Sequence, residues 1–183
     1  MTTPTPRFLL STIESDSHMW GLVYLQLLLE EQGIDVINLG PCVPAVRTLE
    51  ALKHLRPDVL VISSVNGHGL WQGRALRESA VDMFGADLPP FLIGGKLTTS
   101  ESENAAAVRE LRAAGFAGIF VGKQAIPEFR QWLLQFKQTF TPRSGQLPYV
   151  RSRAGSLHAG SAAAAASPEA RENSDSVAAV DAA

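Results

Sequence analysis

Short apolar runs and amphipathic stretches take turns along the first 140 residues. Residues 7–13 (RFLLSTI) read as a strand, and residues 20–32 (WGLVYLQLLLEEQ) as a helix stopped by Gly33. The same pair of signals recurs. Strands are predicted at residues 34–39, 58–63, 91–93 and 118–121, and helices at 44–55, 70–84, 101–114 and 126–140. Pro44 suits the first turn of its helix. Residues 58–63 (DVLVIS) form a β-branched apolar run, the mark of a central parallel strand covered on both faces. Strict alternation predicts an α/β fold, a doubly wound five-stranded parallel sheet between helical layers. The usual strand order at this size is the flavodoxin-like 2-1-3-4-5.

Beyond Phe140 the pattern collapses into Ala, Ser, Gly and Pro, with an alanine run from Ala162 to Ala166. Residues 1–140 are therefore read as the domain and residues 141–183 as a disordered tail. The other reading of the tail is a docking segment that orders on a partner through Tyr149 and Val150.

Composition narrows the function. Sixteen Lys and Arg against eighteen Asp and Glu give a net charge of -2, which argues against a generic grip on nucleic acid. The single cysteine, Cys42, rules out an intrachain disulfide or a cysteine cluster for a metal, and it receives no role. No run is long enough to span a membrane, and the N-terminus lacks a signal peptide's apolar core, so a cytoplasmic protein is expected.

Ligands of such a sheet bind beyond the carboxyl ends of its strands. That rule gathers Glu14 to His18 after the first strand, Ser63, Ser64, Asn66 and His68 after the third, Gly94, Gly95 and Lys96 after the fourth, and Gly122 and Lys123 after the fifth. Asp16 and His18 permit a carboxylate to fix a histidine tautomer while the other nitrogen binds metal. The plain alternative is an aspartate helix cap beside a solvent histidine. His18 and His68 with an aspartate are a weaker candidate for a single hydrolytic metal. Neither a G-x-G-x-x-G turn nor a G-x-x-x-x-G-K-[ST] loop is present, and no serine has a G-x-S-x-G frame. Gly94 and Gly95, placed directly after a strand, would let backbone approach a bulky ligand. Gly67, Gly69 and Gly73 do the same or make a turn. Small residues at several strand ends suggest a deep slot.

Asp16-Ser17-His18-Met19-Trp20-Gly21, Ser63-Ser64-Val65 and Gly94-Gly95 resemble the D-x-H-x-x-G, S-x-L and G-G pieces of the cobalamin-binding domain of B12-dependent enzymes. The resemblance covers residues 7 to 138. The stretches SDSH at 15–18, GIDVINLG at 33–40, DVLVISSVNGHG at 58–69 and PPFLIGGK at 89–96 are similar to the small cobalamin-binding subunits of glutamate mutases. The resemblance implies His18 as the lower ligand of cobalt, displacing the cofactor's own base, with Asp16 behind it. It implies space for the nucleotide tail at Gly21, a hydroxyl from Ser63 to the displaced base, and a tail pocket lined by Gly94 and Gly95. The implied cofactor-binding set is completed by Ser15, Ser17, Met19, Val65, Asn66, Gly67, His68, Gly69, Lys96 and Gly122, with no catalytic residue. The cofactor would be adenosylcobalamin, or methylcobalamin in the alternative. The implied function is the cofactor-binding subunit of an isomerase, a carbon-skeleton mutase converting L-glutamate to 3-methylaspartate. Its partner would be a larger TIM-barrel catalytic subunit in a heterotetramer, which holds the amino acid substrate. The alternatives are a corrinoid carrier in methyl transfer and a plain interaction or sensor domain.

Some positions depart from the pattern. Val23 stands where these subunits carry a lysine that reaches the aspartate, so Asp16 is less restrained or another donor replaces the lysine. Asn66 and His68 replace a tyrosine and a glutamine. The stretch KLTTSESE at 96–103 lacks the usual apolar start, and Val121-Gly122-Lys123 replaces P-G-T.

Overall fold

The computed structural model describes residues 5–141. The expected tail, with Tyr149 and Val150, lies outside those residues from 142 onward. Five strands alternate with five α-helices: β1 (Arg7–Thr12), α1 (Trp20–Glu31), β2 (Asp35–Asn38), α2 (Ala45–Leu55), β3 (Val59–Ser64), α3 (Gly69–Phe84), β4 (Phe91–Gly95), α4 (Asn104–Ala113), β5 (Gly118–Val121) and α5 (Ala125–Thr139). The sheet is parallel throughout, in the order β2-β1-β3-β4-β5. The expected fold class and order are those observed.

Period-two alternation within each strand builds two cores. Leu9, Leu60, Ile62, Phe91 and Ile93 point to one face, where Leu49 and Leu52 of α2, Leu76 and Ala80 of α3 and Leu111 of α4 cover them. Phe8, Leu10, Val59, Val61, Leu92 and Phe120 point to the other, against Leu22, Leu28 and Leu29 of α1 and Phe129 and Leu133 of α5. Every residue of β3 is buried, so the most strand-like stretch of the sequence is the strand enclosed on both sides.

Three local expectations are corrected. Pro44 is not in the first turn of α2 but caps it, with ψ 145°, and the helix starts at Ala45. The helix expected from residue 101 begins with a 3-10 turn, Glu101–Glu103, before α4. Gly94 and Gly95 do not follow β4 but form its end, paired with Ser63 and Ser64 on one side and Phe120 and Val121 on the other.

The crossovers fix where a ligand can enter. From β1 the chain crosses to β2 at one edge and then returns past β1 to β3. The connections after β1 and β3 therefore run to opposite faces, α1 to one and α3 to the other. Such a divergence opens a crevice at the carboxyl ends of the two strands.

Candidate functional site

That crevice holds the Asp16 and His18 pair. The loop leaves β1 after Thr12, and its Asp16 N–H donates to the Ile13 carbonyl at 3.0 Å. Asp16 is only 1% exposed. Its Oδ1 accepts the His18 N–H at 3.0 Å and lies 2.7 Å from His18 Nδ1, while Oδ2 accepts the Val65 N–H at 2.6 Å. Burial alone would push the Asp16 carboxyl up. The backbone N–H groups of His18 and Val65, then the His18 ring, outweigh it and hold the carboxyl below its ordinary value. Asp16 does not cap α1: Met19 occupies the cap position, and no side chain bonds there. With Nδ1 turned to an ionised carboxylate, the neutral ring keeps its proton on that nitrogen, which leaves the Nε2 lone pair free of the carboxylate. The His18 side chain is 61% exposed, so the ring projects from the loop rather than into the core.

With valine at position 23, Asp16 is still restrained on its second oxygen. A backbone N–H, that of Val65, takes the second carboxylate oxygen. It arrives from the loop after β3, so the two sides of the crevice are joined through Asp16. The Cys42 N–H adds a tie from the β2 side, donating to the Asp16 carbonyl at 2.8 Å from a residue at φ 53°.

The structure brings most of the predicted residues together through such ties. Asn66 Nδ2 donates to the Ser15 carbonyl at 2.9 Å and to Ser15 Oγ at 2.8 Å. The Lys96 N–H donates to the Ser64 carbonyl, and the Gly67 N–H to the Lys96 carbonyl, linking the third and fourth strand ends. Gly69 opens α3, where an added methyl would meet Leu97 Cδ2 at 2.7 Å and Ser64. Ser17, Met19 and His68 present exposed side chains around this edge, as do Val65 and Lys96. Gly122, at φ 72°, stands apart at the end of β5, with open space where a side chain would be.

Ser63 and Gly21 face each other. A methyl at Gly21 would lie 3.0 Å from Ser63 Oγ, so the absence of a side chain lets α1 approach β3. Ser63 is 8% exposed, and among the described residues its hydroxyl forms no hydrogen bond. With no partner inside the chain, that hydroxyl can bond a group that enters the crevice.

The expected deep slot is not what the glycines make. A methyl at Gly94 would meet the Phe120 carbonyl oxygen at 2.9 Å, and one at Gly95 would strike the Ser64 carbonyl oxygen. Gly73 is closed by Ile93 and Gly69 by Leu97. These positions are bare because the chain itself packs there. A cavity of 210 Å³ lies between the end of β1, the start of α2 and the first three turns of α3, lined by Thr12, Val43, Gln72 and Leu76 among others. Among the described residues no three His, Cys, Asp or Glu side chains cluster to hold a metal, which argues against the His18, His68 and aspartate alternative.

Sequence reasoning missed Gln72. It sits in the first turn of α3, with Nε2 donating to Ser15 Oγ at 2.9 Å. A polar side chain in the first turn of a helix that starts at the ligand edge was the available signal.

The B12 binding domain family matches residues 6–130. This chain belongs to that family. Among curated relatives of this B12-binding domain, the glutamate mutase sigma subunit of Fusobacterium nucleatum is 26% identical over 114 residues, covering 62% of this chain and 83% of the relative. Glutamate mutase sigma subunit 1 of Haloarcula marismortui is 27% identical over 139 residues, covering 76% and 91%. In fold the domain is similar to a methanol:cobalamin methyltransferase complex from Methanosarcina barkeri, with TM-score 0.53 and 20% identity over 74% of this chain. This chain spans 48% of that structure's length, and the likeness is one of fold. The residues fit the family's cofactor: an exposed histidine ring bonded at Nδ1, a buried carboxylate behind it, and a Ser63 hydroxyl with no partner inside the chain. No described helix is long and apolar enough to cross a membrane.

Proposed function

We propose that this chain is the cofactor-binding small subunit of an adenosylcobalamin-dependent carbon-skeleton mutase of the glutamate mutase type. One observation carries the reading: His18 Nδ1 lies 2.7 Å from the buried Asp16, which leaves Nε2 on an exposed ring. His18 would hold cobalt through Nε2. Asp16 keeps the imidazole in that tautomer and orientation. The Ser63 hydroxyl would bond the displaced base, and the bare Gly21 keeps a side chain of α1 off it. Ser15, Gly67, Gly69 and Lys96 sit where the loops would meet the corrinoid, and Gly94 and Gly95 let the strand ends beneath them close. Adenosylcobalamin, when bound, supplies the radical by cobalt–carbon homolysis.

The chain's own residues then bind and orient rather than react. An amino acid substrate needs an arginine or a second carboxylate to clamp it. Arg74, the arginine nearest the edge on α3, is paired with Glu78 at 2.8 Å. Trp20 and Trp71 are 80% and 75% exposed at the starts of α1 and α3, apolar area that supports a covering partner. A separate barrel subunit, assembled with this one as a heterotetramer, would supply the substrate site and exclude water.

The test is electron paramagnetic resonance of the Co(II) form with nitrogen-15 histidine, followed by anaerobic assay with the barrel subunit. Histidine nitrogen coupling, lost in His18→Ala, and conversion of L-glutamate to 3-methylaspartate only by the pair are the expected results. Absence of coupling in the wild type sinks the cofactor assignment. Coupling without glutamate turnover keeps the assignment and discards the substrate. Val23, Asn66, His68 and Lys123 depart from the mutase pattern and weaken the glutamate assignment; the second reading is a corrinoid carrier using methylcobalamin in methyl transfer. Methyl transfer to an acceptor with no mutase turnover would select it.

A further inference from the structure

Ser15, Asp16, Ser17 and His18 have little intrinsic preference for one loop shape, yet Asp16 must be placed to within a hydrogen bond. Beside the backbone ties of Ile13, Val65 and Cys42 to Asp16, two side-chain amides across the crevice restrain the loop. Gln72 Oε1 accepts the Ser15 N–H at 3.4 Å, and its Nε2 donates to Ser15 Oγ at 2.9 Å. Asn66 Nδ2 donates to the same Oγ at 2.8 Å and to the Ser15 carbonyl at 2.9 Å.

The direction of each amide is determined. Asn66 Oδ1 accepts the His68 N–H at 3.0 Å, so reversing Asn66 would set N–H against N–H. Reversing Gln72 would do the same at the Ser15 N–H. Ser15 Oγ therefore receives two donors, which fills both acceptor positions of a hydroxyl. Its own proton is left pointing away from both amides. The peptide between Ser15 and Asp16 is also fixed at both ends, its oxygen by Asn66 and its N–H by the Ile13 carbonyl at 3.0 Å. A planar group held at two ends cannot rotate, and the Asp16 side chain leaves the backbone next to it.

We propose that Gln72 and Asn66 form an amide clamp on Ser15 that presents the Asp16 and His18 pair to cobalt, which makes Gln72 a positioning residue of the corrinoid site. The purpose of the clamp rests on the cofactor reading above; the clamp itself does not. Gln72→Met keeps length and removes both bonds. Gln72→Glu keeps the acceptor for the Ser15 N–H and accepts the Ser15 O–H. Ser15→Ala removes the shared hydroxyl.

The experiment has two arms on the full chain. In the protein without corrinoid, amide hydrogen exchange at Asp16 and His18 should be roughly tenfold faster in Gln72→Met, the scale of one or two lost hydrogen bonds. Exchange at Leu60 and Ile62 should be unchanged, and Gln72→Glu should restore the wild-type rates. With cob(II)alamin, Gln72→Met should bind roughly tenfold more weakly with a smaller histidine-coordinated fraction. Ser15→Ala should lose a similar factor, and the double variant should lose less than the product of the two. Equal exchange rates at Asp16 and His18 overturn the clamp, whatever cobalamin does. Faster exchange with unchanged coordination, or with independent losses in the double variant, overturns its positioning role. Failure of the wild type to take up cob(II)alamin overturns the cofactor reading and the clamp's purpose together, and the exchange arm still reads the clamp.

Discussion

The two ends of the sheet each carry a buried aspartate at a strand terminus, and they are finished in opposite ways. At the amino end, Arg7 meets its partners inside the chain. Its N–H donates to Asp58 Oδ2 at 2.7 Å, its Nε to Asp35 Oδ2 at 3.0 Å, and its guanidinium to the Leu55 carbonyl at 3.3 Å. The constellation ties β1, β2 and the start of β3 and points nothing outward. At the carboxyl end, Asp16 takes three bonds from its own chain, two from backbone N–H groups and one from the ring of the exposed His18. A charge whose partners are all internal serves the fold. A charge that braces an outward-facing group leaves a chemical end free. The difference follows from partner chemistry: a guanidinium is a donor only, while an imidazole bonded at Nδ1 still has a lone pair at Nε2.

If that contrast is right, variants at the two ends should separate stability from coordination. The largest loss of stability is expected from Gly95→Ala. Gly95 has φ 110°, and a methyl there would strike the Ser64 carbonyl oxygen. That oxygen cannot retreat, because it accepts the Lys96 N–H at 2.8 Å. The collision and the backbone strain together should cost about 4 kcal/mol. Urea unfolding measures it, and a loss under about 1 kcal/mol would show that the strand ends can separate freely.

Arg7→Ala comes next, at about 3 kcal/mol, since it strands the carboxylate of Asp35 in a mostly buried place. Histidine coordination of cob(II)alamin should be untouched in this variant. A change in the Co(II) spectrum at the carboxyl end would show that the two ends are coupled through β1.

The sequence carried the fold further than the site. The apolar run at Val59-Leu60-Val61 marks a strand covered on both faces, and the alternation of strands and helices makes 2-1-3-4-5 the usual order without excluding the other. Gly94 and Gly95 were misplaced because glycine is scarce in strands, and only the neighbouring Phe120 and Ser64 carbonyls show why it is required here. The pairing of Asp16 with His18 was legible from a two-residue spacing. Its bracing was not, because Val65 and Gln72 lie far along the chain and act through a backbone N–H and a side-chain amide. A backbone donor leaves no trace in residue identity.

Asp16→Ala is expected to cost about 2 kcal/mol, less than Arg7→Ala, even though Asp16 is the more buried carboxylate. The orphaned groups explain the order. Removing Asp16 leaves the N–H groups of Val65 and His18 without their acceptor, and both lie at a loop surface that water can reach. The same variant should lower the fraction of cob(II)alamin coordinated by histidine, because the ring is no longer held in one tautomer. Asp16→Asn separates the two effects. An amide oxygen can still accept from one N–H, so part of the stability returns, while the charge that favours the Nδ1 proton does not.

The smallest effect on stability is expected at the residue with the largest effect on coordination. His18 is 61% exposed, and its ring packs on nothing in the core. Its loss removes one bond to Asp16, whose carboxylate keeps the N–H groups of residue 18 and Val65. His18→Ala should therefore leave the urea midpoint within about 0.5 kcal/mol of the wild type. It should abolish histidine nitrogen coupling to Co(II) outright. A large loss of stability in His18→Ala would mean that the ring closes the carboxyl end as the Arg7 guanidinium closes the other, and the contrast between a finished end and an open one would fail. A His18→Gln variant decides any intermediate result: its amide can replace the bond to Asp16, so it should match the wild type in stability and still show no imidazole on the metal.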